Sequence, residues 1–273
     1  MLEHESIIRL GFFLGIFAIM GCWELITPCR RLTASKIRRW TNNLLIVVIN
    51  TLTVRILFPT AAVGMALLAA EKGWGLLNVI ALPQGLEVVL AIIALDLAIY
   101  LQHVLFHAIP ALWQLHMVHH SDIDIDVTTG ARFHPVEIVL SILIKFAVIL
   151  MLGPSATAVV IFEVLLNGAA MFNHSNIRIP SRIDRVLRLF IVTPDMHRVH
   201  HSVIKDETNS NFGFNLPWWD RLLGTYRDQP RLGHVNMEIG LKPFRDPAWL
   251  TLPRLLTLPF SHSARDYPMN RSD

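Results

Sequence analysis

The sequence predicts an all-α polytopic membrane bundle of about four to five transmembrane helices, with a cytosolic helical cap that carries clustered histidines. Three observations lead there. The 273 residues are 53% hydrophobic and only 16% charged, whereas a soluble domain averages about 25% charged residues. Several apolar runs are as long as a bilayer is thick. The histidines, 13 in all, fall in groups that the charge pattern collects on one side of the membrane. The net charge of +3 arises from local clusters and points to no nucleic-acid partner. Two cysteines, Cys22 and Cys29, are too few for a disulfide framework or a Cys-based zinc site.

Ile7 to Ile26 form the first apolar run. Arg9 lies near its start and Glu24 near its end, where long side chains reach the interface. No basic leader or small-residue cleavage motif accompanies it, so it reads as an anchor helix and not a signal peptide. Gly11 and Gly15 form a GxxxG pair that would admit a second helix closely. Arg30, Arg31, Lys36, Arg38 and Arg39 crowd the next loop, which the positive-inside rule puts in the cytoplasm. The second run, Leu44 to Ala70, contains Arg55 and Pro59. The third, about Leu86 to Ile109, returns to the cytoplasmic side with His103 and His107 in its last turns. Val136 to Asn173 is broken at Gly153-Pro154-Ser155 and is long enough for a hairpin tipped at Pro154. Lys145 and Glu163 within it are expected to face protein. The amino terminus is then outside. His103, His107, His116, His119, His120, His134, His174, His197, His200 and His201 all fall on the cytoplasmic side.

Beyond Ile177 the chain is more polar. Arg178, Arg182, Arg185 and Arg188 recur with Ile183, Val186, Leu187 and Leu189, the pattern of an interfacial helix on anionic headgroups or of a plain solvated face. Asn211 to Tyr226, with Phe212, Phe214, Trp218 and Trp219, also suits the interface. Residues 247–273 are rich in proline and read as a loose tail. Residues 1–273 read as one integral-membrane domain, with transmembrane helices in 1–85 and a motif core at about 90–228.

The chemistry lies in the histidines. His116-x-x-His119-His120 and His197-x-x-His200-His201 repeat one pattern. Asp96, Tyr100, His103 and His107 step by four, three and four residues and share one helical face. Each group can aim several imidazoles at one point, and together with His174 they can surround two metal ions. A single catalytic zinc needs only about three protein ligands. Imidazole suits zinc, copper, iron and nickel alike. No Glu-x-x-His pair of the bundle-type di-iron carboxylate proteins and no His-Glu-x-x-His motif occurs. Asp96, Asp122 and Asp195 are placed to fix imidazole tautomers; a partner for Arg55 or Lys145 is the competing role for Asp96. His134 is a candidate contact to the centre, and His4, His234 and His262 read as surface residues.

These boxes, with Asn173-His174-x-Asn176 and the stretch from Asn211-Phe-Gly-Phe to Trp219-Asp220-Arg-Leu-Leu-Gly-Thr-Tyr226, resemble the sterol desaturase / fatty acid hydroxylase superfamily. The resemblance covers roughly Leu95 to Tyr226. It implies a non-haem centre of two Fe ions at the cytosolic membrane face, with His103, His107, His116, His119, His120, His174, His197, His200 and His201 as the metal ligands. It implies that O2 and external electrons hydroxylate or desaturate a C–H bond of a lipid or sterol-like substrate drawn from the bilayer. The electron donor it implies is a redox protein, or a tetrahydropterin in the ether-lipid branch. The box at His174 departs from the family, where a second histidine is common; here Ala170 and Asn173 stand nearby. The chain carries no GxGxxG fingerprint, no haem CxxCH motif and no four-cysteine cluster motif, so electrons must come from a partner. The short chain favours a bacterial inner membrane over the endoplasmic reticulum. A paired-zinc lipid hydrolase and a non-enzymatic metal transporter are the rival readings. The first is disfavoured by the lack of carboxylates in the boxes, the second by the gathering of the histidines on one face.

Overall fold

The structure, a computed structural model, describes residues 4–269. Its elements in order are α1 (Glu5–Ile26), α2 (Lys36–Leu57), α3 (Ala61–Lys72), α4 (Leu76–Val79), α5 (Gln84–Ala108), α6 (Pro110–His120), α7 (Pro135–Leu152) and α8 (Ala156–Asn173). Then come α9 (Ser181–Leu187), α10 (Pro194–His200), α11 (Lys205–Thr208), α12 (Trp218–Leu222), α13 (Gly233–Asn236) and α14 (Leu252–Ser261). Among the described residues there is no sheet, only the isolated bridges Pro28–Ile177 and Ser202–Ile239. Five segments of the described residues are long and apolar enough to cross a membrane: Glu5–Ile26, Lys36–Val79, Gln84–Ala108, Pro135–Leu152 and Ala156–Asn173. The all-helical membrane architecture expected from composition is therefore the one the chain adopts.

The apolar run around Pro59 is not one helix. α2 stops at Leu57 and α3 restarts at Ala61, because Pro59 lacks an N–H and disfavours helical backbone at Phe58. The hairpin tip falls at Gly153–Pro154, as its residues imply. Gly153 takes φ +67 to close α7, and Ser155 caps α8 by accepting from the Ala158 N–H. Gly75 packs backbone to backbone on this tip, since a Cβ there would sit 2.2 Å from Gly153 N. Gly11 and Gly15 meet no neighbour within 4 Å, so the GxxxG pair makes no helix contact. The close approach of α1 to α8 is at Gly168 instead, beside Ile16. Lys145 and Glu163 face protein as expected: they pair at 2.9 Å, and Arg9 joins Glu163 at 3.1 Å.

The carboxyl-terminal stretch is packed and not loose as far as Met269, and residues 270–273 of the expected tail lie outside the described residues. Leu255, Leu258, Ala264 and Tyr267 join one buried cluster with Ile46, Trp113 and Met117. Tyr267 stacks on Trp113 with ring centroids 5.9 Å apart, and the Trp113 indole donates to the Ala264 carbonyl. Pro247 and Pro253 sit in first turns, where a missing N–H costs nothing, and Pro259 lies in the last turn of α14.

Candidate metal centre

Four helix ends converge on one side of the bundle. The last turns of α5 carry His103 and His107, four residues apart on one face. Pro110 then starts α6, which carries His116, His119 and His120. His174 caps the carboxyl end of α8. α10 starts at Pro194 behind a Thr193 cap and carries His197 and His200, with His201 at its end. All nine imidazoles are buried.

They form two adjacent groups. His103, His107, His116, His120 and His200 make one; His119, His174, His197 and His201 make the other. Within each group, one ring nitrogen per residue lies within 4.8 Å of all the others. Each His-x-x-His-His motif is thus divided. Its first and last members, one helical turn apart, serve one group, and its middle member crosses to the other. The His120 and His201 rings, 4.7 Å apart, join the two groups.

Hydrogen bonds at the outer nitrogens fix the tautomers. Nδ1 of His103 donates to the Phe212 carbonyl (2.8 Å), Nδ1 of His107 to Asn209 Oδ1 (3.0 Å) and Nδ1 of His116 to Glu137 Oε1 (2.6 Å). Nδ1 of His200 donates to the Ser210 carbonyl (2.8 Å), and Nδ1 of His174 to the Ala170 carbonyl (2.7 Å). Each of these rings, when neutral, keeps a bare lone pair on Nε2. Yet His103 Nε2 lies 3.2 Å from His116 Nε2, and His174 Nε2 lies 3.1 Å from His119 Nε2 and 3.0 Å from His197 Nε2. For His103 and His116, whose Nδ1 atoms both donate outward, two lone pairs face each other at that distance and repel unless a cation lies between them; the lone pair of His174 Nε2 faces two rings whose Nδ1 atoms have no protein partner. Nε2 of His107 and His200, and both ring nitrogens of His120 and His201, are buried without any protein partner. Burial also disfavours imidazolium: it pushes His116 and His174 down to about 3, and His119, His120, His197, His200 and His201 well below their usual value, with neighbouring imidazoles adding to the effect for these five. Neutral, preorganised, inward-pointing imidazoles fit a pair of metal ions.

The three aspartates expected as imidazole partners do other work. Asp122 takes Arg39 Nε (2.7 Å) and Nη2 (2.8 Å), and Arg39 also binds Asp126. Burial pushes Asp122 up, but the Arg39 and Arg132 guanidiniums reverse this and hold it at about 2. This buried network ties α2 to the chain that follows α6. Asp195 pairs with Arg198, and His234, which is half-buried and not on the surface, lies 3.9 Å from it. Asp96 binds neither Arg55 nor Lys145 nor an imidazole; it accepts from Asn215, Leu216 and Trp219. His134 belongs to neither group. It caps α7 and reaches the Leu256 carbonyl. The partners that sequence reasoning missed are Glu137, Asn209 and three backbone carbonyls. Glu137 carried one signal, an acid at the edge of an apolar run; the others carried none.

Similarity to known proteins agrees with this geometry. A family model for fatty acid hydroxylases matches residues 88–225, about half of the chain. That span holds all nine histidines and Glu137. Ornithine lipid hydroxylase OlsE of Rhizobium tropici is 31% identical over 157 residues, 58% of this chain and 46% of that protein. Alkylglycerol monooxygenase of Homo sapiens is 28% identical over 139 residues, 50% of this chain and 29% of that protein. The Xenopus tropicalis alkylglycerol monooxygenase is 29% identical over 140 residues, 50% and 30% of the two chains. The chain spans less than half the length of these curated relatives. No solved structure matches it. With the matched span coinciding with the two imidazole groups and the loop that orients them, the chain belongs to the fatty acid hydroxylase family.

Proposed function

We propose that residues 1–273 form a single membrane-bound non-haem di-iron oxygenase that hydroxylates or desaturates a C–H bond of a lipid, using O2 and electrons from an external donor. The observation that carries this reading is the pair of adjacent imidazole groups with lone pairs turned inward and no carboxylate in either group. His103, His107, His116, His120 and His200 would hold one ion; His119, His174, His197 and His201 would hold the other. When bound, the irons supply activation of O2 and removal of hydrogen from an unactivated C–H bond.

The chain's own residues supply the rest. Phe212, Ser210, Ala170, Asn209 and Glu137 hold five imidazoles in the tautomer that leaves Nε2 free. Burial of the groups excludes bulk water, which would quench a strong oxidant. Arg31 and Arg38 on the exposed surface beside α2 favour the cytoplasmic face for the site, where a redox protein or tetrahydropterin could deliver electrons. A bacterial inner membrane suits a relative such as the Rhizobium tropici lipid hydroxylase. The paired-zinc hydrolase is disfavoured because such sites draw on carboxylate ligands, and these groups are imidazole only.

The test is metal identity and stoichiometry after purification in mild detergent from iron-supplied cells. Two irons per chain, with a lipid product that requires both O2 and reductant, is the expected result. One zinc, or product formed without O2, would overturn the reading.

A further inference from the structure

Asp96 is an acid in the middle of a membrane-crossing helix, where an ionisable group needs a reason. It is the thirteenth of the 25 residues of α5. His103 follows seven residues later, about 10 Å along the axis at 1.5 Å per residue. The Asp96 carboxylate accepts from the Asn215 N–H (3.2 Å), Asn215 Nδ2 (2.7 Å), the Leu216 N–H (3.2 Å) and the Trp219 indole (2.8 Å). A loop of the histidine-bearing layer therefore descends to mid-α5. Irregular backbone at such depth survives only where protein satisfies its N–H groups, and Asp96 satisfies two of them.

The outer side of that loop is apolar. Phe190 is 60% exposed, Leu222 73% and Leu223 55%, with Leu189 and Trp218 beside them. Trp218 Nε1 donates to the Leu189 carbonyl (2.7 Å) and Arg221 to the Arg188 carbonyl (3.3 Å), so the two segments make one surface. Its inner side is continuous with the bundle: Leu187 packs in the cluster that contains Phe17 and Met20 of α1 and Met171 of α8. Within 178–191 and 214–223 the exposed charges are Arg178, Arg182, Arg185 and Arg221, while Asp184 and Asp220 are buried. Exposed apolar side chains rimmed mainly by arginine, with Asp228 paired to Arg188 at the edge, complement acyl chains below anionic phosphates.

We propose that residues 186–191 and 214–223 form a re-entrant wedge seated in the acyl layer of the adjacent leaflet, anchored by Asp96 and rimmed by arginines at the phosphate level. This is a membrane contact separate from the crossing helices and independent of which metal the imidazoles hold. It places lipid against the segment whose Phe212 carbonyl orients His103.

The full chain with Cys22→Ser and Leu222→Cys, spin-labelled and reconstituted in phosphatidylcholine–phosphatidylglycerol vesicles, tests it. Cys29 is buried and does not compete for label. Leu232→Cys, exposed and outside both segments, is the aqueous reference. The nitroxide at 222 is expected to be relaxed more by O2 than by a water-soluble nickel chelate, with the order reversed at 232. Equal nickel access at 222 and 232 would overturn the wedge. So would spin–spin broadening at 222, which would mean that a second copy covers the face. Adding Asp96→Asn is expected to shift the 222 label toward nickel access; no shift would overturn Asp96 as its anchor.

Discussion

Removing the Glu137 carboxylate should weaken one metal site and spare the other. Glu137 lies at the start of α7, is buried, and accepts from His116 Nδ1 at 2.6 Å. His116 belongs to the five-imidazole group, while no outer nitrogen of the four-imidazole group touches Glu137. In Glu137→Ala the His116 N–H loses its acceptor inside a dry site, at a cost of about 1–3 kcal/mol. Loss of such an outer partner typically lowers metal affinity or activity about 10- to 100-fold, which is the same energy, about 1.4–2.8 kcal/mol. Glu137→Gln keeps an oxygen acceptor and should fall at the mild end of that range. The assay is competitive chelation of iron-loaded protein, followed by metal analysis at each chelator strength. The expected curve has two steps, with the step of the five-imidazole group displaced to weaker chelator in Glu137→Ala and the other unmoved. A curve identical to that of the parent protein would refute the assignment, as would equal weakening of both steps.

Three further outcomes follow from the same geometry. His174→Ala should empty its site more completely than His120→Ala empties the other, because four imidazoles fall to three in one case and five to four in the other; metal stoichiometry per chain decides this. Arg39→Met should destabilise the fold by about 3–5 kcal/mol, because it takes the paired guanidinium from buried Asp126 and leaves Asp122 only Arg132, 3.6 Å away, and thermal melting in detergent reads the loss. The metal-free protein should lose stability on acidification below about pH 6.5. His116 and His174 are held near 3 when folded, so the unfolded chain binds the extra protons, and each group contributes a slope of about 1.4 kcal/mol per pH unit between the two values. A melting temperature constant from pH 8 to pH 5 would refute that.

The fold class and the nine clustered histidines were legible in the sequence because both rest on local periodicity. Apolar runs of bilayer length specify crossing helices whatever their neighbours are, and imidazoles three or four residues apart share a helical face wherever the helix lies. The division of the two His-x-x-His-His motifs was not legible. Which neighbour crosses to the other group depends on how α6 and α10 approach each other, and that is long-range packing. The aspartates misled for a related reason. Proximity in sequence to His120 or His197 suggested an imidazole partner for Asp122 and Asp195, but both follow or begin a helix whose imidazoles point the other way, and each found an arginine.

The tail shows how composition can mislead about order. Its prolines suggested a loose chain, yet it reaches the metal groups through Asn209, whose Nδ2 donates to the Tyr267 carbonyl (2.7 Å) while its Oδ1 accepts from His107. The Met269 N–H also donates to the His107 carbonyl. An amide that must accept at one atom and donate at the other is fixed in one orientation only when both partners are present. The carboxyl-terminal segment thus does for His107 what the Phe212 and Ser210 carbonyls do for His103 and His200. The loop after α11 and the tail, distant in sequence from α5 and α6, complete the site that those helices begin.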